Sequence, residues 1–279
     1  MNIVILGAET ILGKAFLEAG RAAPDVEPVA MDATGMLLAD VNRMVQAIPD
    51  ANVVVNCIND LDPAAADPAN REHFTAMNLH AAQNIAQACS RRRIKLVHFS
   101  SVHVFDGAKQ KPYTERDTPN PLNHFGSVKL AADKQVRATG GPYLVVRLPM
   151  VYGAGGPNWV DDVAAELRAN GAAQAEGSTI LCPTWSKTTA DAILQMLRQN
   201  RTGVMNFSAG GQCTPVEAAR VIASVVKPDA NVTQVERKVG GEPNLTAYGL
   251  LDTSTYQGWS GGVALQWSVD LRTYLSTLH

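Results

Sequence analysis

Neither sign of charge dominates this 279-residue chain: 24 lysines and arginines against 26 aspartates and glutamates leave a net charge of −2. That balance lacks the electrostatic footprint of a nucleic-acid partner or of binding to an anionic membrane. The one basic run, Arg91-Arg92-Arg93, falls where a helix should end, and cations there complement the helix dipole. No apolar run approaches the roughly 18 residues that cross a bilayer. Cysteine is scarce and scattered. Cys57, Cys89, Cys182 and Cys213 include no pair at C-x-x-C spacing, so no zinc site or redox motif is indicated and no metal is expected. Free thiols in a reducing compartment are expected instead. No basic stretch precedes Asn2–Leu6, which reads as a buried strand and not as a leader, so a soluble, cytoplasmic protein is expected. Internal repeats and low-complexity segments are missing as well.

What is present suits a packed globular chain: 46% of residues are apolar and 18% charged. Short runs of Val, Ile and Leu recur at Ile3–Leu6, Pro28–Met31, Asn52–Asn56, Lys95–Phe99 and Tyr143–Arg147. They read as strands covered on both faces. Helical patterns fill the gaps near 12–22, 39–48, 70–92 and 123–138. In the third, Phe74, Met77, Ala81, Ile85 and Ala88 step by three or four. This alternation predicts an α/β fold, a Rossmann-type doubly wound parallel sheet. After Arg147 the pattern loosens into helices near 158–169, 188–199 and 214–226. The division expected is a dinucleotide-binding domain over 1–150 and a smaller substrate lobe over 151–279. The chain is free to cross back between them.

The first strand runs into Gly7-Ala8-Glu9-Thr10-Ile11-Leu12-Gly13 and then a helix. A strand–glycine–helix turn aims backbone N–H groups and a helix dipole at a phosphate, which makes Gly7, Thr10, Ile11, Leu12 and Gly13 candidate cofactor contacts. Thr10 departs from the usual glycine, and its Cβ would take space meant for the diphosphate. Glu9 adds an unwanted negative charge. Asp32 ends the second strand nineteen residues after Gly13. An acid there accepts from a ribose 2′-hydroxyl and repels a 2′-phosphate, so NAD is favoured over NADP.

The segment Phe99-Ser100-Ser101-Val102-His103-Val104-Phe105-Asp106-Gly107 is followed by Pro112-Tyr113-Thr114-Glu115 and by Asn123-His124-Phe125-Gly126-Ser127-Val128-Lys129. In that order these resemble the extended short-chain dehydrogenases/reductases, and most closely their dTDP-4-dehydrorhamnose reductase group. Asn56, Met77-Asn78, Val146-Arg147, Val151-Tyr152-Gly153, Asn158-Trp159-Val160, Pro183-Thr184 and Leu251-Asp252-Thr253-Ser254 are similar to further segments of that group. The resemblance implies hydride transfer between NAD or NADP and a keto-sugar nucleotide. It implies Ser101 as the hydroxyl that polarises the carbonyl, Lys129 as the ribose-binding lysine and Asn78 as the helix asparagine behind it. Asn56 is implied at the cofactor; His103, Tyr152, Asn158 and Trp159 are implied at the substrate.

The tyrosine position of that group is occupied by Phe125, which carries no hydroxyl. Val102 likewise stands where the group has an aspartate. Three readings stay open: a deliberate change that traps substrate, a reductase with another proton donor, or a fold kept for binding. His103, His124 and Tyr113 are the donors near in sequence. The binding reading implies a non-catalytic regulatory subunit with a protein partner, and a homodimer is compatible with either. Asp60 and Asp62 follow the third strand and either cap the next helix or face the substrate, and the pair Asp161-Asp162 reads as a solvated helix face.

Overall fold

The computed structural model describes residues 1–32, 35–58, 66–237 and 246–278. Six parallel strands form the central sheet: β1 (Asn2–Leu6), β2 (Glu27–Met31), β3 (Val53–Asn56), β4 (Lys95–Ser101), β5 (Tyr143–Leu148) and β9 (Gly203–Asn206). Their order is β2-β1-β3-β4-β5-β9. The sheet is the parallel Rossmann-type sheet that the alternation predicts. On one face Ile3, Ile5, Val55, Val97 and Val146 pack with Phe16 of α1 (Ile11–Ala22) and Ile193 and Met196 of α8 (Ser186–Arg198). The opposite face brings Val4, Val54 and Val145 against three helices. Met44 comes from α3 (Val41–Ala47), Ile85 from α5 (Ala81–Arg92) and Val136 from α6 (His124–Ala138).

Two expectations need correcting. β2 is not covered on both faces: it is one edge of the sheet, and Val29 is 42% exposed. The helix expected near 39–48 is two pieces, α2 (Met36–Ala39) and α3. Asp40 interrupts them because its carboxylate accepts from the Asn42 and Arg43 amides and caps α3. The arginine run does close α5, with Arg93 left-handed at φ 56°. Arg92 does more than complement the dipole, since it also donates to Asp50 Oδ1 at 2.9 Å.

The remaining elements build a second, smaller core. β7 (Ala172–Glu176) pairs with β10 (Asn231–Val235), and β6 (Val151–Tyr152) pairs with β8 (Thr184–Trp185). Leu167 of α7 (Trp159–Asn170), Ile222 of α9 (Pro215–Val226) and Leu271 of α11 (Trp267–Leu275) meet there. The short α10 (Ser254–Ser260) lays Tyr256 edge-on to Phe207.

β1 and β3 are neighbours, so strand order reverses at their carboxyl ends, where open α/β sheets form a ligand crevice. Gly7 turns there at φ +73°, and a Cβ on it would come within 2.8 Å of the Cys57 carbonyl carbon and the Ile58 nitrogen. A Cβ on Gly13 would overlap the Gly7 carbonyl oxygen. Backbone cannot yield there as a side-chain tip can. Gly13→Ala should therefore destabilise the chain by about 3 kcal/mol, the upper end for an overpacked site, as read from urea unfolding.

Candidate active site

At the start of α1 the Thr10 hydroxyl donates to the Gly7 carbonyl at 2.9 Å and accepts from the Gly13 amide at 3.1 Å. Thr10 is thus a helix N-cap, and it uses up one donor that a glycine would leave for a phosphate. Leu12 is buried in the core, while Ile11 faces the Gly153–Gly156 loop, with a Cβ on Gly156 falling 3.2 Å from Ile11 Cγ1. The register Leu6↔Met31 sets Asp32 level with Gly7, exposed at the sheet's carboxyl edge. Asn56 ends β3 fully buried. Its Oδ1 accepts from the Ile58 amide at 3.1 Å, and its Nδ2 finds no partner among the described residues.

Asn123 caps α6 by accepting from the Gly126 amide at 2.8 Å. The buried side of α6 then carries Phe125, Lys129 and Asp133, spaced one turn apart. Phe125 is fully buried; its ring lies 5.5 Å from Phe74 and 5.8 Å, edge-on, from His103. Lys129 is fully buried too. Its ammonium sits 5.2 Å from the Phe125 ring centre and 5.7 Å from that of Phe74, and it donates to Asn78 Oδ1 at 2.7 Å. Asn78 can reach because the helix expected over 70–92 is interrupted. Between α4 (Arg71–Thr75) and α5 lies a π-turn, Ala76–His80, and Asn78 Nδ2 donates to the Phe74 carbonyl at 3.0 Å. A widened turn frees carbonyls from the helix ladder, and the asparagine amide takes one of them. Apolar spacing alone does not reveal such a turn.

Ser101 ends β4. Its hydroxyl accepts from the His103 amide at 3.2 Å, capping the single 3₁₀ turn Val102–Val104. His103 is half-buried. Burial, and then the positive charge of Arg237, push its pKa down to about 4, so it is neutral near pH 7. The His124 Nε2 lies 3.1 Å from the Thr75 hydroxyl. That hydroxyl already donates to the Arg71 carbonyl at 2.8 Å, so the imidazole nitrogen is the donor. Tyr113 is turned to other work. It stacks on Phe105 at 4.3 Å and donates to Asp106 Oδ1 at 2.7 Å, and burial raises its pKa.

Beneath Lys129 lies a buried charged layer that the sequence reading missed. His98 Nε2 is 4.0 Å from Asp133 Oδ1, and Arg147 Nε is 3.6 Å from Asp133 Oδ2. Burial pushes Asp133 up to about 6, against the pull of Arg147, and pushes His98 down to about 3. The spacing of Lys129 and Asp133 on α6 was the available signal.

The other expected substrate contacts, Tyr152, Asn158 and Trp159, lie at the second core. Tyr152 is fully buried, with its ring 5.2 Å from Tyr274, so its surface is spent on packing. Asn158 caps α7, and its amide donates to Gly153, Gly156 and Asp161, which leaves the side chain engaged within the chain. Trp159 packs against the same core. Asp161 is not simply a solvated helix residue, since it accepts from the Tyr274 hydroxyl at 2.8 Å. Asp60 and Asp62 lie outside the described residues. All four cysteines are buried free thiols. Among the described residues no helix is long and apolar enough to cross a membrane.

A family model, the RmlD substrate binding domain, matches residues 1–279. This chain belongs to that family. Among its relatives is a probable low-salt glycan biosynthesis reductase, Agl14, of Haloferax volcanii. It is 29% identical over 240 residues, covering 80% of this chain and 77% of that protein. A dTDP-4-dehydrorhamnose reductase of Burkholderia thailandensis is 28% identical over 228 residues, covering 76% and 74%. The crystal structure of a dTDP-4-dehydrorhamnose reductase from Clostridium acetobutylicum superposes with a TM-score of 0.92. It shares 23% identity and covers 100% of this chain and 99% of its own. The RmlD-type fold therefore spans the whole chain.

The neutral histidines of this RmlD-family chain carry a pH signature. Their folded pKa values, about 3 for His98 and about 4 for His103, lie below the unfolded value. Their contribution is thus full above roughly pH 6.5 and is lost as pH falls toward those values. Asp133 works the other way below about 6, because the folded chain holds its proton more tightly than the unfolded one. Two histidines outweigh one aspartate. Urea unfolding should give a chain about 2 kcal/mol less stable at about pH 5 than at about pH 7. His98→Gln should remove much of that loss.

Proposed function

We propose that this chain is a dinucleotide-binding member of the sugar-nucleotide reductases in which proton donation is impaired. The observation that carries the reading is the Lys129–Asn78 pair, 2.7 Å apart, set against the hydroxyl-free ring of Phe125. The Gly7–Gly13 cradle, closed so tightly that a Cβ at Gly13 would overlap backbone, fits a diphosphate. Gly7 and the Ile11 and Leu12 amides would hold it, with Gly13 giving the close backbone approach while its amide stays on Thr10, and Asp32 would take the adenosine ribose, which favours NAD. Lys129 would hold the nicotinamide ribose, with Asn56 beside the crevice. When bound, NAD(P)H supplies a hydride. Ser101 would polarise the acceptor carbonyl. The names of the reductase relatives support a keto-sugar nucleotide as that acceptor.

The chain's own residues set the limit. Phe125 can neither donate nor accept a proton, and general acid–base catalysis is typically worth about 10²–10⁴ in rate. Calorimetric titration should give NADH binding in the micromolar range, tighter than NADPH. Phe125→Tyr should then raise turnover of a dTDP-4-keto-6-deoxy sugar by about 10²–10⁴. No binding of either nucleotide at millimolar concentration would overturn the reading. The second reading, a non-catalytic binding subunit, is favoured by the full burial of Lys129 and Phe125. It predicts nucleotide binding with no turnover in either the parent chain or Phe125→Tyr.

A further inference from the structure

Phe125 offers no proton, so a carbonyl reduced beside it has to draw one from a neighbouring side chain. Three acids stand near in sequence, and two are engaged elsewhere. His124 Nε2 donates to the Thr75 hydroxyl at 3.1 Å. Tyr113 gives its hydroxyl proton to Asp106 Oδ1 at 2.7 Å and stacks on Phe105. His103 differs from both. Its Nδ1 is enclosed and makes no hydrogen bond among the described residues, while the residue as a whole keeps part of its surface open. That leaves Nε2 as the ring nitrogen able to meet a ligand.

His103 also touches the two residues that matter most. Its amide donates to Ser101 Oγ at 3.2 Å, and its ring stands edge-on to Phe125 at 5.8 Å. The 3₁₀ turn that carries it rests on the first turn of α6, where a Cβ on Gly126 would overlap the His103 carbonyl oxygen. This contact lies past the end of β4, at the carboxyl edge of the sheet. The charged and titratable groups about it are Arg237, which lies beyond β10 and opposes a charged imidazole, and His124 and Lys129 of α6, which bond to Thr75 and Asn78.

We propose that His103 is a catalytic residue, whose Nε2 donates the proton that Phe125 cannot. The proposal rests on the reductase reading above. The acceptor carbonyl carbon gains a hydride, with its electron pair, from the reduced nicotinamide, which is thereby oxidised. The π pair of the carbonyl passes to its oxygen, which takes the Nε2 proton. A neutral imidazole remains, and water reprotonates it. With its pKa near 4, about one imidazole in 10³ is charged at pH 7, so the donor is scarce and turnover is slow.

NADH-dependent turnover of a dTDP-4-keto-6-deoxy sugar tests this in four chains: the parent, His103→Gln, Phe125→Tyr and the double variant. In the parent background His103→Gln should lower kcat by about 10². In the Phe125→Tyr background the loss should be at least about tenfold smaller, because tyrosine then supplies the proton. A structural role would cost the same in both. Parent kcat should also rise about tenfold per unit as pH falls from about 8 toward about 5, and His103→Gln should abolish that rise. Histidine NMR gives a readout without turnover: the His103 signals, assigned by their loss in His103→Gln, should shift when a dTDP-linked 6-deoxy sugar and NAD⁺ are added together. Equal losses in the two backgrounds, or turnover in Phe125→Tyr with none in the parent, would overturn the proposal and leave the reductase reading standing. If His103→Gln does not fold, a flat parent pH profile or unshifted histidine signals overturn it. A parent chain that binds no NADH sinks the reductase reading itself, and the proposal with it.

Discussion

A fully buried ammonium is among the costliest groups a fold can hold, and the centre of this molecule is arranged around one. Lys129 donates to an amide oxygen and lies against two aromatic faces, with Asp133 one turn along its helix. Each of these depends on a different part of the chain. Asn78 reaches the lysine because a π-turn interrupts the helix that carries it. Phe74 comes from the turn before. Asp133 is steadied from below by side chains of β4 and β5. The packing of α6 on the sheet and the position of the lysine are therefore one constraint and not two.

Two departures from the resemblance share a physical sense. A tyrosine at 125 would bring a hydroxyl that has to meet solvent or substrate. Phenylalanine there joins Phe74, Val128 and Ala66 in a closed apolar cluster. A glycine at 10 would leave the first amides of α1 to a ligand, whereas threonine satisfies one of them internally. In both places polar work that a ligand could do has been taken inside the chain or dropped. The glycine cradle and the Lys129–Asn78 pair persist around those changes, and the proposed nucleotide site rests on them.

Much of the fold was legible because it rests on local rules. Continuous Val and Ile runs separated by amphipathic helices lead to a parallel sheet in any context, and the glycines at 7 and 13 mark the turn where β1 meets α1. Ser101, Phe125 and Lys129 could be placed by motif order and helical spacing. The exposed character of β2 was not legible, because a strand's place in the sheet depends on which strands flank it. Nor were the tasks of Asn158 and Tyr152: a residue type that suits a ligand also suits a cap or a core.

Family membership, the strand–helix alternation and a hydroxyl-free ring at position 125 can be read along the chain, since these are properties of residue identity and spacing within one segment. The rest came from how distant segments meet. The π-turn, the aromatic slot around Lys129 and the charge layer of His98, Asp133 and Arg147 each join residues from different elements. Burial removes the water that would otherwise screen and solvate those groups, and it is burial that turns ordinary side chains into a coupled set.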